Sequence, residues 1–437
     1  MKRYAEYRDS EIPWLGEIPS EWDINRGKEI LTLLERPVLD DDEVITCFRD
    51  GEVTLRKNRR EDGFTVSLKE VGYQGIEPGD LVVHGMDGFA GSIGVSDSRG
   101  KATPVLNVMD SKQNKRFLMY YLRMAAYRDV FMSLSTGIRV RSCDLRWNKL
   151  SIFPFLIPPI KEQNAIAEFI DINLSKVDAL ISEAKASIDE YRTWKASIIY
   201  EAVTKGVDKN VEMKESGLHW IGKIPSHWYL IKLKYLLDKS DAGIKVGPFG
   251  SSFTNKTVGD GDYLIYGQAN VISRDFSKTK NSISASDYKS LSRYDVVPGD
   301  ICLSVIGNGT IGWCCTVPEG IRPGIMDSHL MKIRLSNVMI NEFFELYYSK
   351  HYAGVCHTQM QYEKTGIAME GLNTRIVKGL WMVVPPIEEQ YKIVKKIMPV
   401  VDSIDMLISE KESLITDLEA YKKSLIFEVV TGKRKVV

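Results

Sequence analysis

The sequence predicts an α+β protein built from two tandem α/β domains. Each domain is followed by a long helix, and we expect the two helices to pair as an antiparallel coiled coil with pseudo-two-fold symmetry. Three observations predict this fold: an aromatic motif that occurs twice, a helix start that occurs twice, and a heptad pattern after each helix start.

The two repeats divide the chain into similar halves. The motif WLGEIPSEW at 14–22 returns as WIGKIPSHW at 220–228, an offset of 206 residues. The motif PPIKEQ returns as PPIEEQ at an offset of 227, which holds without a gap from 158–204 to 385–431 with 19 of 47 positions identical. A duplicated architecture of this kind suits a two-sided ligand such as duplex DNA.

The aromatic motif, called the tryptophan motif below, is rich in proline and glycine. This composition predicts an irregular arm or turn rather than a helix. We expect the motif to clamp the long helices to the neighbouring domain. Its indoles should pack rather than bind a ligand; they belong to Trp14, Trp22, Trp220 and Trp228.

The two α/β domains share a scaffold but differ over most of their length. Short β-type runs at 81–84 and 301–304 each follow a Pro-Gly-Asp turn. A Gly-x-Ile-Gly element follows each run, and a closing helix is predicted near 117–131 and 341–352. One scaffold with two different surfaces is expected of modules that recognise two different targets.

The residues after each PPI motif predict two paired helices. Apolar residues recur at alternating steps of four and three for about four heptads, which at 1.5 Å per residue is a seam of about 42 Å. Pro399 should either separate a short lead-in helix or mark the first turn. An alternative is that each seam packs only on its own domain. The seam residues are Ile170, Leu174, Val177, Ile181, Ile188, Tyr191, Ile198, Ile397, Val401, Ile404, Ile408, Ile415, Leu418 and Leu425.

These patterns predict six segments. They are an N-terminal arm with the first tryptophan motif (1–22), a first domain (23–155), a central helical region (156–206), a linker with the second tryptophan motif (207–228), a second domain (229–382) and a C-terminal helical region (383–437).

Composition limits the possible functions. The 437 residues carry 58 basic and 58 acidic side chains, so a DNA-binding face must come from local clustering or from a partner. The N-terminus lacks a secretory signal, and no apolar run approaches the roughly 20 residues of a spanning helix. The six cysteines form no CxxC pair, which predicts reduced thiols in a cytosolic protein and no metal site. Nucleotide-binding, methyltransferase, metalloprotease and serine-hydrolase motifs are also absent, so the sequence predicts a binding and assembly protein.

Local clusters of basic and amide side chains mark the candidate DNA contacts. Arginine and asparagine make bidentate contacts with guanine and adenine edges, and lysine and arginine neutralise phosphates. The alternative for each cluster is a solvated charged turn. The candidates are Arg49, Arg56, Lys57, Asn58, Arg59, Arg60, Arg139, Arg141 and Arg146 in the first domain, and Lys245, Ser251, Ser252, Gln268, Asn270, Arg274 and Lys364 in the second.

The combination of motifs resembles the DNA specificity subunit (HsdS) of type I restriction–modification systems. The resemblance is carried by the tryptophan motifs, the PPIxEQ helix starts, the end of the first helix at 197–206, the GPFGS loop at 247–251 and the segment HGMDGFAG at 84–91. It covers essentially the whole chain.

The resemblance implies a non-catalytic subunit of an adenine-N6 methyltransferase and endonuclease complex. The α/β domains would be two target-recognition domains, each reading one half of a bipartite, asymmetric sequence in double-stranded DNA, with the helices setting the spacer. Partners would be two methyltransferase subunits docked on the helices and domains, and restriction/translocase subunits. S-adenosylmethionine, ATP and Mg would lie on those partners, with no cofactor on this chain, no membrane association and a cytoplasmic location in a prokaryote.

Two other classes of function stay open at this point. A DNA-modifying enzyme with a divergent site predicts S-adenosylmethionine binding or DNA cleavage by the isolated chain. A coiled-coil scaffold without a DNA role predicts no salt-sensitive affinity for DNA, even with partners present.

Overall fold

A computed structural model describes most of the chain, and its contacts divide into two compact units. Unit 1 combines Met1–Lys185 with Glu412–Val437, and unit 2 is Ala186–Lys411. The described residues are 2–59, 71–133, 145–240, 243–248, 257–258, 261–307, 309–352, 354–357, 359–360 and 371–436.

Unit 1 mixes short strands with short helices ahead of the first long helix. Its strands are β1 (Tyr7–Asp9), β2 (Glu17–Pro19), β3 (Asp23–Arg26), β4 (Thr32–Leu33), β5 (Ile45–Cys47), β6 (Val53–Leu55), β7 (Gln74–Ile76), β8 (Leu81–His84), β9 (Ile93–Val95), β10 (Gly100–Ala102), β11 (Leu106–Asp110) and β12 (Pro154–Ile157). Its α-helices are α1 (Gly27–Ile30), α2 (Lys115–Tyr127), α3 (Val130–Ser133), α4 (Trp147–Leu150) and the first part of α5 (Ile160–Lys205); 3-10 helices lie at Arg56–Asn58 and Gly88–Ala90.

Unit 2 follows the same plan. Its strands are β13 (Met213–Glu215), β14 (Lys223–Pro225), β15 (Tyr229–Lys232), β16 (Ile244–Val246), β17 (Thr257–Val258), β18 (Tyr263–Tyr266), β19 (Asn281–Ile283), β20 (Ile301–Ser304), β21 (Cys314–Thr316), β22 (Gly324–Met326), β23 (Leu330–Ile333) and β24 (Trp381–Val384). Its α-helices are the last part of α5, α6 (Gln268–Ser273), α7 (Ala285–Ser290), α8 (Asn341–Tyr348), α9 (Thr374–Gly379) and the first part of α10 (Ile387–Val430); 3-10 helices lie at Leu233–Tyr235 and Ser292–Tyr294.

Each unit is centred on a four-stranded antiparallel sheet. The strand order is β4-β11-β8-β9 in unit 1 and β16-β23-β20-β21 in unit 2. The runs predicted at 81–84 and 301–304 are confirmed as β8 and β20 at the middle of these sheets. The turn before each strand is held by a buried carboxylate, because Asp80 accepts the Glu77 N–H at 2.8 Å and Asp300 accepts the Val297 N–H at 3.1 Å.

The predicted pairing of the two long helices is confirmed. In unit 1, Lys422 Nζ of α10 lies 2.5 Å from Asp178 of α5. In unit 2, Lys195 Nζ of α5 lies 2.7 Å from Asp405 of α10. The offset of 227 residues converts one pair into the other, and residues early in one helix contact residues late in the other, so the pairing is antiparallel. Every predicted seam residue is buried or half-buried in its own unit.

The repeated motifs meet at the base of each α/β domain. Trp22 and Trp228 are buried, and their indole N–H groups donate to Glu162 at 3.1 Å and to Glu389 at 2.9 Å. The glutamine that follows each glutamate is fully buried. These contacts confirm that the tryptophan motif fastens the helix start to its domain.

The buried glutamines tie the start of each long helix to the helix that closes the domain. Gln163 accepts the Asn114 N–H at 2.9 Å and donates to the Pro158 carbonyl. Gln390 accepts the Ile340 N–H at 2.9 Å and donates to two backbone carbonyls. Both acceptor contacts fall on the N-cap residue of α2 or α8.

Three details differ from the sequence predictions. Pro399 lies inside the continuous helix α10, where its exposed position lets the helix continue past the missing N–H. The tryptophan motif is partly a strand, since β2 pairs with β1 and β14 with β13. The closing helix predicted near 117–131 is interrupted after Tyr127, where Asp129 has a φ of 56°. In the described part of the chain, no helix combines the length and apolarity needed to cross a membrane.

Candidate nucleic-acid interface

In unit 1 the densest basic run lies on the β5–β6 hairpin. Arg56, Lys57 and Asn58 form a 3-10 helix directly after β6, and Arg49 occupies the hairpin tip. Arg49 is the most exposed of these cations, with 68% of its side chain accessible, and its guanidinium lies 3.1 Å from Asp87. The hairpin therefore presents Arg49 at its end and holds the other cations along its side.

Acidic residues of the same region balance most of this charge. Arg59 pairs with Asp50 at 2.6 Å and with Glu52 at 2.9 Å, and Lys57 pairs with Glu43 at 2.6 Å. The hydrogen bond to Asp50 is the main cause of the raised pKa of Arg59. Because these cations already have partners, DNA would have to displace carboxylates to reach them.

Polar contacts within the hairpin hold two further candidates. Arg56 Nε donates to Thr46 at 3.1 Å, and the Asn58 amide donates to Thr54 at 2.8 Å. The guanidinium of Arg59 also lies over the Phe48 ring, 4.3 Å from its centroid. The run is thus an ordered face of the hairpin.

A glycine-rich loop after β8 packs against the hairpin tip. His84 Nδ1 accepts the backbone N–H groups of Met86 and Asp87, at 3.2 and 3.0 Å. Burial lowers the pKa of His84. A Cβ at Gly91 would lie 2.8 Å from the Arg49 carbonyl, so only glycine allows this close approach. The loop thereby places Asp87 beside Arg49.

The corresponding loop of unit 2 follows β20 and is organised by Gln268. Its amide donates to Ser304 Oγ at 2.8 Å, to Thr310 Oγ1 at 3.2 Å and to the Ile306 carbonyl. Gln268 is the first residue of α6, so this helix carries the side chain into the loop. The structure therefore brings one predicted DNA contact to the loop at the end of β20, a middle strand of the central sheet.

Two other candidates of unit 2 are engaged inside the domain. Asn270 is buried, and its amide donates to the carbonyls of Asp275 and Lys278, each at 2.8 Å. Arg274 donates to Glu345 at 2.8 Å and to the Tyr352 hydroxyl at 2.7 Å. These contacts give both residues a role in holding the fold, while their predicted contact with DNA stays a prediction.

The remaining candidates are placed as follows. Lys245 is half-exposed on β16, where it is paired with Lys332 in the register of the sheet. Arg146 is the exposed N-cap residue of α4, and its side chain passes beside Gly85. The other candidates lie outside the described residues; they are Arg60, Arg139, Arg141, Ser251, Ser252 and Lys364.

The structure also brings together basic residues that sequence reasoning missed. They lie at the junction between the domain's first and last elements, at Arg26, Lys28 and Lys149 in unit 1 and at Lys232, Lys234, Arg375 and Lys378 in unit 2. A signal existed in the sequence, because the offset of 206 residues carries Arg26 onto Lys232 and Lys28 onto Lys234, so both positions are basic in both halves.

Comparison with known proteins gives this geometry a context. Residues 247–416 match the family model described as "Type I restriction modification DNA specificity domain". The putative type I restriction enzyme MjaX specificity subunit of Methanocaldococcus jannaschii is 23% identical over 447 residues, covering 97% of this chain and 96% of that protein. The EcoKI specificity subunit of Escherichia coli K12 is 20% identical, covering 96% and 90%.

A solved structure shares the fold. A chain from work on the complex assembly and conformational transition of the type I R-M system superposes with a TM-score of 0.69 at 12% identity, covering 95% of this chain and 99% of that one. The chain is thus similar over nearly its whole length to named specificity subunits of type I restriction enzymes, and the specificity-domain model matches within its second half.

Proposed function

We propose that each unit of this DNA-sequence-recognition subunit reads one half of a bipartite, asymmetric sequence in double-stranded DNA. The observation that carries the proposal is that the two units share one scaffold but have different side chains at the loops that follow β8 and β20. The central sheets have the same strand order, yet the loop after β8 is organised by His84 and contacts Arg49 of the β5–β6 hairpin, whereas the loop after β20 is organised by Gln268. Different side chains at equivalent edges would recognise different bases.

A domain exchange tests this division of labour. We expect replacement of residues 23–155 by the corresponding domain of a relative to change one half of the methylated sequence and to leave the other half and the spacer unchanged. The readout is a genome-wide map of N6-methyladenine in cells that carry the exchanged gene. A change in both halves, from a chain that still folds, would show that the units do not read independently.

We further propose that the paired long helices set the spacer between the two half-sites. Antiparallel helices with buried seams are stiff, and each residue adds about 1.5 Å along the axis. Seven residues inserted into each helix, after 185 and after 411, would preserve the heptad pattern and add about 10 Å, or about three base pairs. The expected result is a longer spacer between unchanged half-sites, and an unchanged spacer would eliminate the helices as a ruler.

The proposal also assigns one uncovered flank of the helices to methyltransferase docking. In unit 1, Leu180 and Tyr421 are 51% and 46% exposed, and in unit 2, Trp194 and Leu407 are 52% and 38% exposed. Leu180 and Leu407 directly precede the seam residues Ile181 and Ile408, and Trp194 and Tyr421 directly precede Lys195 and Lys422, which form the ion pairs between the two helices. In an antiparallel pair the positions that precede the seam on the two helices lie along the same side. Each unit therefore presents one leucine and one large aromatic ring together.

The recognition domain occupies the opposite flank of the helices. In unit 1, Asp171 follows a seam residue and binds Arg116 and the Tyr120 hydroxyl of α2. The same flank borders a cavity of about 580 Å³ between α2 and the helices, which is also lined by Glu419 and Ile426. The flank with Leu180 and Tyr421 is thus left for another partner. The offset of 227 converts Leu180 into Leu407 and Trp194 into Tyr421, which suits two copies of one partner subunit.

Docking can be tested by the number of bound methyltransferase subunits. We expect Leu180→Asp with Tyr421→Asp to release one of two copies from the co-expressed complex, and Trp194→Asp with Leu407→Asp to release the other. Met406→Asp is the matched control, because Met406 is 65% exposed on α10 but lies away from the seam. Two retained copies in both double variants, measured by native mass spectrometry, would move docking to another surface.

The remaining assignments complete the proposal. The methyltransferase partners would bind S-adenosylmethionine and methylate adenine N6, and restriction/translocase partners would bind ATP and Mg. This chain would itself be non-catalytic and would work in the cytoplasm of a prokaryote. Purified alone, it should neither bind S-adenosylmethionine nor cleave DNA, which isothermal titration and a nuclease assay can check.

A further inference from the structure

The first and last elements of the recognition domain of unit 2 form a basic surface. β15 pairs with β24, and the 3-10 helix after β15 packs against α9, with the Leu233 N–H donating to the Leu380 carbonyl at 2.8 Å. This junction gathers four cations that are far apart in the sequence. We call this surface the basic ridge; it consists of Lys232, Lys234, Arg375 and Lys378.

In the part of the chain that the structure describes, none of the ridge cations is paired with a carboxylate. Residues 229–236 and 372–381, which form the junction, contain no aspartate or glutamate. Within the described ranges, no carboxylate lies at ion-pair distance from any of the four cations. This separates the ridge from the β5–β6 hairpin, where Glu43, Asp50 and Glu52 neutralise the basic run. The ridge thus offers net positive charge in a chain that has none overall.

Aromatic rings support two of the ridge cations. Lys232 Nζ lies 5.3 Å from the ring centroid of Trp381, and Lys234 Nζ lies 4.6 Å from that of Tyr235, which is 66% exposed. Lys234, Arg375 and Lys378 are themselves exposed. Ammonium groups held on aromatic faces lose less freedom when they bind an anion, and a lysine binds phosphate as a point charge.

The ridge lies beside the loop after β20, which accepts hydrogen bonds from Gln268 of α6. The Leu372 N–H, two residues before α9, donates to the Val305 carbonyl at 2.7 Å, and Gly371 forms a bridge with Ile306. Val305 and Ile306 belong to the loop after β20 whose Ile306 carbonyl accepts from Gln268. A duplex that presents base edges to this loop would carry its phosphates past the ridge, because the backbones border each groove.

Unit 1 repeats the junction and its cations, but not the lack of acidic residues, because Asp23 lies on β3 and Glu29 on α1. The Gly27 N–H donates to the Phe153 carbonyl at 3.0 Å, as Leu233 does to Leu380, and Leu145 donates to the carbonyl of Gly85 in the loop after β8. The cations at this junction are Arg26, Lys28, Arg146 and Lys149, all of them exposed. Positive charge therefore recurs where the two halves differ in their reading loops, as expected for contacts that do not depend on base sequence.

We propose that the basic ridge binds the phosphate backbone of duplex DNA and positions the recognition domain without reading bases. The inference rests on the proposed function and deepens it, since it separates the residues that anchor the duplex from the residues that read it. Loss of ridge charge should weaken binding to every sequence alike and should leave the recognised sequence unchanged.

The test removes three exposed charges from the ridge of the full chain, purified with its methyltransferase partner. The variant is Lys234→Gln, Arg375→Gln, Lys378→Gln. The control is Lys278→Gln, Lys289→Gln, Arg293→Gln, which removes the same charges from exposed positions of the same unit and includes an arginine that lies over a tyrosine ring. Affinity for a mixed-sequence 40-base-pair duplex is measured from 50 to 300 mM NaCl.

We plot the logarithm of the affinity against the logarithm of the salt concentration. The slope of this plot should become shallower by about 0.9 for each lost phosphate contact, or by about 2.7 for three contacts, in the ridge variant alone. The map of N6-methyladenine should keep the wild-type sequence. A wild-type slope in the ridge variant would overturn the proposal that the ridge binds phosphate. An altered methylated sequence would overturn the proposal that the ridge reads no bases. Either result leaves the proposed function intact. Normal DNA binding with loss of the methyltransferase would make the ridge a protein-docking surface instead. No salt-dependent affinity in the wild type would overturn both proposals.

Discussion

The junction made by Gln390 can be broken with a single substitution of nearly equal volume. Gln390→Leu keeps the buried side chain but removes the acceptor for the Ile340 N–H and the donor for the carbonyls of Val338 and Pro385. Three backbone groups lose their partner, one on the buried residue Pro385, one on the half-buried Ile340 and one on the exposed Val338. At a net contribution of about 0.5–1.5 kcal/mol for each hydrogen bond, unit 2 should lose about 1.5–4.5 kcal/mol of its free energy of unfolding. That is a large part of the roughly 5–15 kcal/mol that holds a typical domain together.

Hydrogen exchange read by mass spectrometry measures this loss in each unit separately. Amides of α8 and the central sheet of unit 2 should exchange faster in Gln390→Leu, whereas those of unit 1 keep wild-type rates. Gln163→Leu should give the opposite pattern, because Gln163 accepts the Asn114 N–H at the start of α2. Glu388→Leu is the control, since Glu388 is exposed on the same helix turn. Wild-type exchange in Gln390→Leu would refute the claim that this glutamine holds the junction.

Three further predictions follow from the seam, the hairpin tip and a half-buried histidine. Ile181→Asp should lower the free energy of unfolding by several kcal/mol, because it places an unpaired charge among apolar seam residues. Ile172→Asp, at an exposed position of the same helix, should change it by less than about 0.5 kcal/mol. Urea titration measures the free energy of unfolding of both variants. Arg49→Ala should cost about 1–3 kcal/mol of discrimination against a mismatched duplex if Arg49 reads a base edge, and equal losses on cognate and mismatched duplexes would reassign it to phosphate. Because the pKa of His84 is lowered in the folded chain, the unfolded chain binds a proton near pH 6.5 while the folded chain does not, and the free energy of unfolding should fall as pH drops below about 6.5. His84→Asn should lessen this fall. An equal fall in the variant would exclude His84 as its source.

The repeats made most of the fold predictable. The heptad pattern identified the seam because a long helix with a single buried stripe leaves a strict period in the sequence. The strands β8 and β20 were predictable from the Pro-Gly-Asp turns ahead of them. The path of α10 through Pro399 was not, because a proline at an exposed helix position leaves the apolar pattern unchanged.

The candidate interface was less predictable for a physical reason. A basic run such as 56–59 is visible in the sequence, but the carboxylates that neutralise it come from Glu43 and from the hairpin tip, and only the pairing of β5 with β6 brings them close. The basic ridge is the reverse case. Its cations come from segments about 140 residues apart in the chain and meet only because β15 pairs with β24. Residues that come together only when the chain folds leave no local pattern in the sequence.

The division of the chain into a contiguous unit 2 and a split unit 1 has a consequence for biosynthesis. Ala186–Lys411 is synthesised and emerges from the ribosome before Glu412–Val437, so unit 2 can begin to form its contacts while unit 1 still lacks a helix segment. Until those last residues arrive, the apolar stripe of Ile166 and Ile170 has no Leu425 or Val429 to cover it. A nascent chain that stalls there would expose the apolar stripe of the first long helix. This interval is therefore the step at which chaperones or proteases would act on the protein.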